Sequence, residues 1–77
     1  MTFMADRITI DDKVLNGKPA IRGMRIAVET ILEFLSAGDT KEDILKAYPS
    51  LEMEDINACL KFAAELMKRN YTIRDIV

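Results

Sequence analysis

The sequence predicts a mainly α domain, a three-helix helix-turn-helix core that carries a short N-terminal β arm or hairpin. Three observations predict it. Apolar residues recur at helical spacing in three separate stretches between residues 27 and 68. Gly38 and Pro49 separate those stretches, at positions where a helix cap and a helix stop belong. Ahead of them, short β-branched runs alternate with aspartate and glycine turn signals. The chain is read as one domain over 1–77, divided into an arm at 7–26, a trihelical core at 27–68 and a C-terminal tail at 69–77.

The arm begins with Arg7-Ile8-Thr9-Ile10, which alternates polar and apolar before the turn formers Asp11 and Asp12. A second extended piece, Pro19 to Arg22, lies between Gly17 and Gly23, and Pro19 confines it to an edge. Two strands alone are marginal, so the arm must pack on the helices or on a second copy.

The first helix is predicted over 27–37, with Val28, Ile31, Leu32 and Leu35 on one stripe and Gly38 as its C-terminal cap. Thr40 opens the second helix, and Asp43 takes the capping-box position as a shorter substitute for Glu. Ile44, Leu45 and Tyr48 give that helix an apolar face, and Pro49 ends it near Tyr48. The third and longest helix is predicted over 53–68, with Ile56, Cys59, Leu60, Ala63, Leu66 and Met67 on one broad face. The tail from Tyr71 to Val77 is β-branched and alternating, and reads as a strand that forms when something docks it.

Composition restricts the function. A chain of 77 residues has a thin core, and such domains often gain stability by self-association, so a homodimer is the expected state. Its single cysteine, Cys59, cannot form a disulfide within the chain, and the absence of histidine leaves metal sites poorly supplied. No metal or other cofactor is expected. With no histidine to act as a base, and Cys59 on an apolar face, catalysis has little to work with. Asp11 and Asp12 are read as turn formers and not as cation ligands. There is no apolar run of membrane-spanning length and no signal-peptide layout, so a cytoplasmic protein without a membrane association is expected.

The net charge of −2 argues against a generic polyanion binder. Charge is nevertheless unevenly spread, because residues 1 to 25 hold Arg7, Lys13, Lys18, Arg22 and Arg25 while Val28 to Leu66 is acidic. A glycine-rich basic arm can follow a DNA groove, which makes Lys18, Arg22 and Arg25 candidate nucleic-acid contacts. In a solvated loop, Arg22 or Arg25 pairs instead with a helix acid such as Glu29, and both readings stand. Gly17-Lys18 is not a phosphate loop, since the earlier glycine is missing and Pro19 replaces the metal-binding hydroxyl.

In a helix-turn-helix domain the third helix is the reading helix. Asn57 and Lys61 fall on its solvent side and are candidate DNA contacts. Glu52, Glu54 and Asp55 at its start have the wrong charge for phosphate but suit a helix N-terminus. Tyr71, Ile73 and Ile76 are candidate partner-binding residues, able to add a strand to another protein. Phe34 and Met24 read as exposed apolar residues that favour a dimerisation module without DNA affinity.

Taken together, Gly17-Lys18-Pro19, Arg22-Gly23, Arg25, the aliphatic helix ending in Ala37-Gly38, Ile44-Leu45, Tyr48-Pro49 and Glu54-Asp55-Ile56 form a specific pattern. Over about residues 7–67 it resembles the bacterial and archaeal domain of unknown function 433 family. Glu52 departs from that pattern, in which Thr or Ser often caps the last helix. The resemblance implies a homeodomain-like or winged-helix-like trihelical domain, usually dimeric and without catalytic activity. It further implies an antitoxin of a toxin–antitoxin pair, which neutralises a PIN-like nuclease and represses its own promoter. The family supplies no set of binding residues.

Overall fold

The computed structural model describes residues 2–5 and 7–70, with side chains from residue 7 to residue 68. Three short strands lead into three helices. Strand β1 spans Thr2–Ala5, β2 Ile8–Asp11 and β3 Ala20–Ile21; helix α1 spans Val28–Ser36, α2 Lys41–Ala47 and α3 Met53–Asn70. The strands form one antiparallel sheet in the order β1-β2-β3, with Ala5 paired to Ile8 and Ile8 to Ile21. The fold is the mainly helical one that the periodicities predict.

Strand β1 is an addition to the predicted arm. Its hairpin closes through Arg7 at φ 62°, a left-handed conformation that glycine or asparagine ordinarily supplies. No such residue marks the turn in the sequence. Between β2 and β3 the chain makes a 3-10 turn over Leu15–Gly17 in which Leu15, Asn16 and Gly17 all have positive φ. Asp11 acts as the turn former expected of it, its Oδ1 accepting from the Lys13 amide at 2.9 Å.

The helix boundaries follow the predicted punctuation. Gly38, at φ 103°, takes the left-handed position after α1, where a side chain would be strained. At α2, Thr40 Oγ1 accepts from the Asp43 amide at 3.0 Å and Asp43 Oδ2 accepts from the Thr40 amide at 3.1 Å, a complete capping box. The Thr40 amide, and after it the Thr40 side chain, hold the Asp43 carboxyl below its ordinary pKa. Tyr48 adopts φ −127° and ψ 81°, outside the helical region that the residue before Pro49 avoids.

The core joins the arm to all three helices. Ile8, Ile21, Ile31, Ile44 and Ile56 are fully or almost fully buried, with Val28, Leu51, Ala58 and Cys59 around them. Each isoleucine contributes roughly 1.5–3 kcal/mol by leaving water. Met24 and Phe34, read from the sequence as exposed, are half-buried against this cluster. Phe34 turns inward because its ring packs on Tyr48, with centroids 6.1 Å apart at 55°.

The predicted apolar face of α3 requires a larger correction. Ile56 and Cys59 are buried, but Leu60, Leu66 and Met67 are 41%, 45% and 59% exposed. Among the α3 side chains described, the fully buried ones are Asp55, Ile56, Ala58 and Cys59 of the first two turns, and Phe62 packs half-buried against the core. Beyond Phe62 the apolar period continues in Leu66 and Met67, which are exposed. The predicted C-terminal strand, including Tyr71, Ile73 and Ile76, lies outside the described residues.

Candidate functional site

Two features of α3 bear on function, a charged clasp at its start and an apolar face on its second half. The clasp is built by two turns of the arm. Arg7 follows β1 and Arg22 follows β3, and both have left-handed backbones, at φ 62° and 48°. The Arg22 amide donates to the Arg7 carbonyl at 2.9 Å, so the turns lie side by side. Their guanidinium groups converge on Asp55, whose side chain has no solvent exposure.

Arg22 grips that carboxylate with two donors, Nε to Oδ1 at 3.0 Å and Nη2 to Oδ2 at 2.8 Å, and Nη2 also reaches the Ser50 carbonyl at 3.1 Å. From the other side Arg7 Nη1 donates to Asp55 Oδ1 at 3.0 Å and to Glu52 Oε1 at 2.7 Å. Asp55 Oδ2 accepts in addition from the Glu52 amide at 2.7 Å, which satisfies a backbone donor at the start of α3. Burial by itself would raise the Asp55 carboxyl; the bonds from Arg22, the Glu52 amide and Arg7 outweigh it and hold the group below the ordinary carboxylate range. Those acids raise both arginines in return, Arg7 through Glu52 and then Asp55, Arg22 through Asp55.

Arg22, a candidate nucleic-acid contact, is therefore engaged within the chain, with 40% of its side chain exposed. The acid it meets is Asp55 and not Glu29. Glu29 instead lies 3.7 Å from Lys18, both side chains being more than half exposed. Lys18 and Arg25 share a shallow groove with Asn16, Glu29 and Thr30 at the start of α1, and Arg25 has no ion pair among the described residues. On α3, Asn57 and Lys61 are exposed one turn apart, and Asn57 Oδ1 accepts from Lys41 Nζ at 2.8 Å. The candidates thus fall into two separate sets, Lys18 with Arg25 and Asn57 with Lys61.

Sequence reasoning missed Arg7 and Glu52 as clasp residues, and it read Asp55 only as a charge suited to a helix start. The spacing of Glu52 and Asp55, that of a helix cap and its third residue, was the one visible signal. It also missed Lys41 beside Asn57. Cys59 is buried, and burial, with the nearby Asp55 charge, pushes its thiol up to about 11. Among the described residues no group of acids and cysteine could hold a metal ion, and no helix is long and apolar enough to cross a membrane.

The sequence of the family described as "Protein of unknown function (DUF433)" matches residues 8–63. The chain belongs to the DUF433 family. A relative, the uncharacterized protein y4eO of Sinorhizobium fredii, is 34% identical over 56 residues, 73% of this chain and 25% of that protein. The crystal structure of a DUF433 member protein from Anabaena variabilis superposes with a TM-score of 0.76 at 28% identity, over 83% of this chain and 63% of that one. The chain thus spans a quarter of the curated relative it matches and under two thirds of the solved structure. The DUF433 match contains Arg22 and Asp55, whereas Arg7, Leu66 and Met67 lie outside it.

Proposed function

We propose that this DUF433 chain acts by binding and not by catalysis, as an antitoxin-like regulator in the cytoplasm. It forms a homodimer and holds a partner protein on the second half of α3. The partner class that the family resemblance suggests is a PIN-like nuclease. Lys18 and Arg25 of the arm, with Asn57 and Lys61 of α3, contact DNA. The observation that carries the reading is the confinement of large exposed apolar side chains, among the described residues, to Leu60, Leu66 and Met67 of one helix. Apolar residues grouped in this way on a small domain mark a protein-binding surface.

A second reading, a protein-interaction dimer without DNA affinity, is favoured by the clasp. Asp55 and Glu52 neutralise Arg7 and Arg22, and Glu54 adds further negative charge where a reading helix would meet phosphate. Affinity purification of the tagged chain from its native cells, with mass spectrometry of what stays bound, tests both. Recovery of a nuclease in stable ratio supports the antitoxin reading, and recovery of no other protein overturns it. DNA affinity that falls with salt, with a slope reduced by Lys18→Ala plus Arg25→Ala, separates the first reading from the second.

A further inference from the structure

We infer that the exposed side of α3 is built to receive an amphipathic helix of a partner protein whose apolar stripe is edged by carboxylates. The inference rests on the protein-binding reading above and names the chemistry of the partner. Leu60, Ala63 and Met67 stand at i, i+3 and i+7, so they form one row along the helix. Beside it runs a second row, Asn57, Lys61, Ala64 and Lys68, at i, i+4, i+7 and i+11. All four of its members are exposed. The Lys41 ammonium, bound to Asn57 at 2.8 Å, adds a third cation at the start of that row. The lysine row is about 16 Å long at roughly 1.5 Å per residue, or three turns of a docked helix.

The acids of α3 that border this row, Glu54 and Glu65, lie on its far side from the apolar row, and Glu65 is 4.0 Å from Lys68. It leaves Lys61 and Lys41 without a carboxylate partner among the described residues. A partner helix lying along the apolar row needs leucine-like side chains at the same spacing and acids on the edge that meets the lysines. A second copy of this chain fits poorly, because antiparallel two-fold pairing along this face sets one lysine row against the other. A DNA backbone satisfies the lysines but leaves Leu60 and Met67 facing phosphate and water.

The test uses the full chain and two synthetic helical peptides of about 18 residues, enough for five turns. They share a leucine stripe and differ only in carrying Glu or Lys along one edge. Binding is followed by amide chemical shifts. The expected result is that the Glu peptide shifts residues around Leu60 to Met67 and binds at least about tenfold more tightly than the Lys peptide, a difference of ~1.4 kcal/mol. Leu60→Asp, at a site that is already exposed, should weaken it by about tenfold or more, and Lys61→Glu plus Lys68→Glu should reverse the preference. Equal binding of both peptides on this face overturns the acidic chemistry and leaves the protein-binding reading in place. Binding of neither peptide overturns both. Stronger displacement of these same shifts by a random duplex of about 20 base pairs assigns the face to DNA and overturns the inference.

Discussion

Arg22 and Asp55, 33 residues apart in sequence, meet through two hydrogen bonds of 3.0 and 2.8 Å at a carboxylate with no solvent exposure. Because Asp55 also accepts from the Glu52 amide and from Arg7, a single side chain ties the arm to α3 and caps the helix. Asp55→Asn keeps the shape but removes the charge and replaces one acceptor by a donor facing cations. The expected loss is about 2–3 kcal/mol of stability, the scale for hydrogen bonds to a charged buried group. In a domain of this size that lowers Tm by roughly 10–20 °C, readable by calorimetry. A drop of only a degree or two would mean that the isoleucine core alone holds the arm.

The same carboxylate makes stability depend on acid. Its pKa in the folded chain is below the ordinary value, so the unfolded chain binds the proton more readily. The clasp's contribution is therefore fully present above about pH 4, the ordinary carboxylate range, and is lost as the pH falls through the lower folded value. Asp43 is shifted in the same direction by its capping box and adds to the same acid limb. Urea unfolding between neutral pH and about pH 2.5 should show stability falling with acid, with a shallower fall in Asp55→Asn. A mutant whose acid limb runs parallel to that of the parent would assign the whole effect to other carboxyls.

Arginine chemistry at position 22 is not interchangeable with lysine. Arg22 presents Nε and Nη2 in one plane to the two oxygens of Asp55, and a lysine offers a single nitrogen. Arg22→Lys should lower Tm by several degrees, whereas Arg25→Lys, at an exposed residue with no ion pair among those described, should leave it within about a degree. Equal effects at the two positions would show that the paired geometry contributes nothing beyond charge.

These residues also mark how far the sequence can be read. The helices were legible because Gly38, Thr40, Asp43 and Pro49 act locally, each through its own backbone or that of residues within one turn. The clasp was not, since nothing within a few residues of Arg22 tells that its partner is Asp55. Strand β1 was hidden by a turn that uses Arg7 in place of glycine. Leu60, Leu66 and Met67 belong to the predicted apolar face of α3 yet stand exposed, because periodicity reports which side of a helix is apolar, but not where its neighbours end. The groove of Lys18 and Arg25 was half visible, its charge evident and its pairing with Glu29 assigned to the wrong cation.

The thiol of Cys59 gives a probe of the core that needs no mutation. It is buried beside Asp55, and both burial and that charge disfavour the thiolate, raising the group from 9.0 to about 11. That rise lowers the thiolate fraction near pH 8 by roughly one to two orders of magnitude, and steric closure slows attack further. Modification by an aromatic disulfide reagent should thus be at least about a hundredfold slower in the folded chain than in urea. Because α3 carries both Cys59 and the clasp, Asp55→Asn should speed the reaction by increasing the population of open states. If the thiol reacts at the unfolded rate in the native chain, the first turns of α3 are not packed as described, and the assignment of Asp55 as their anchor fails with them.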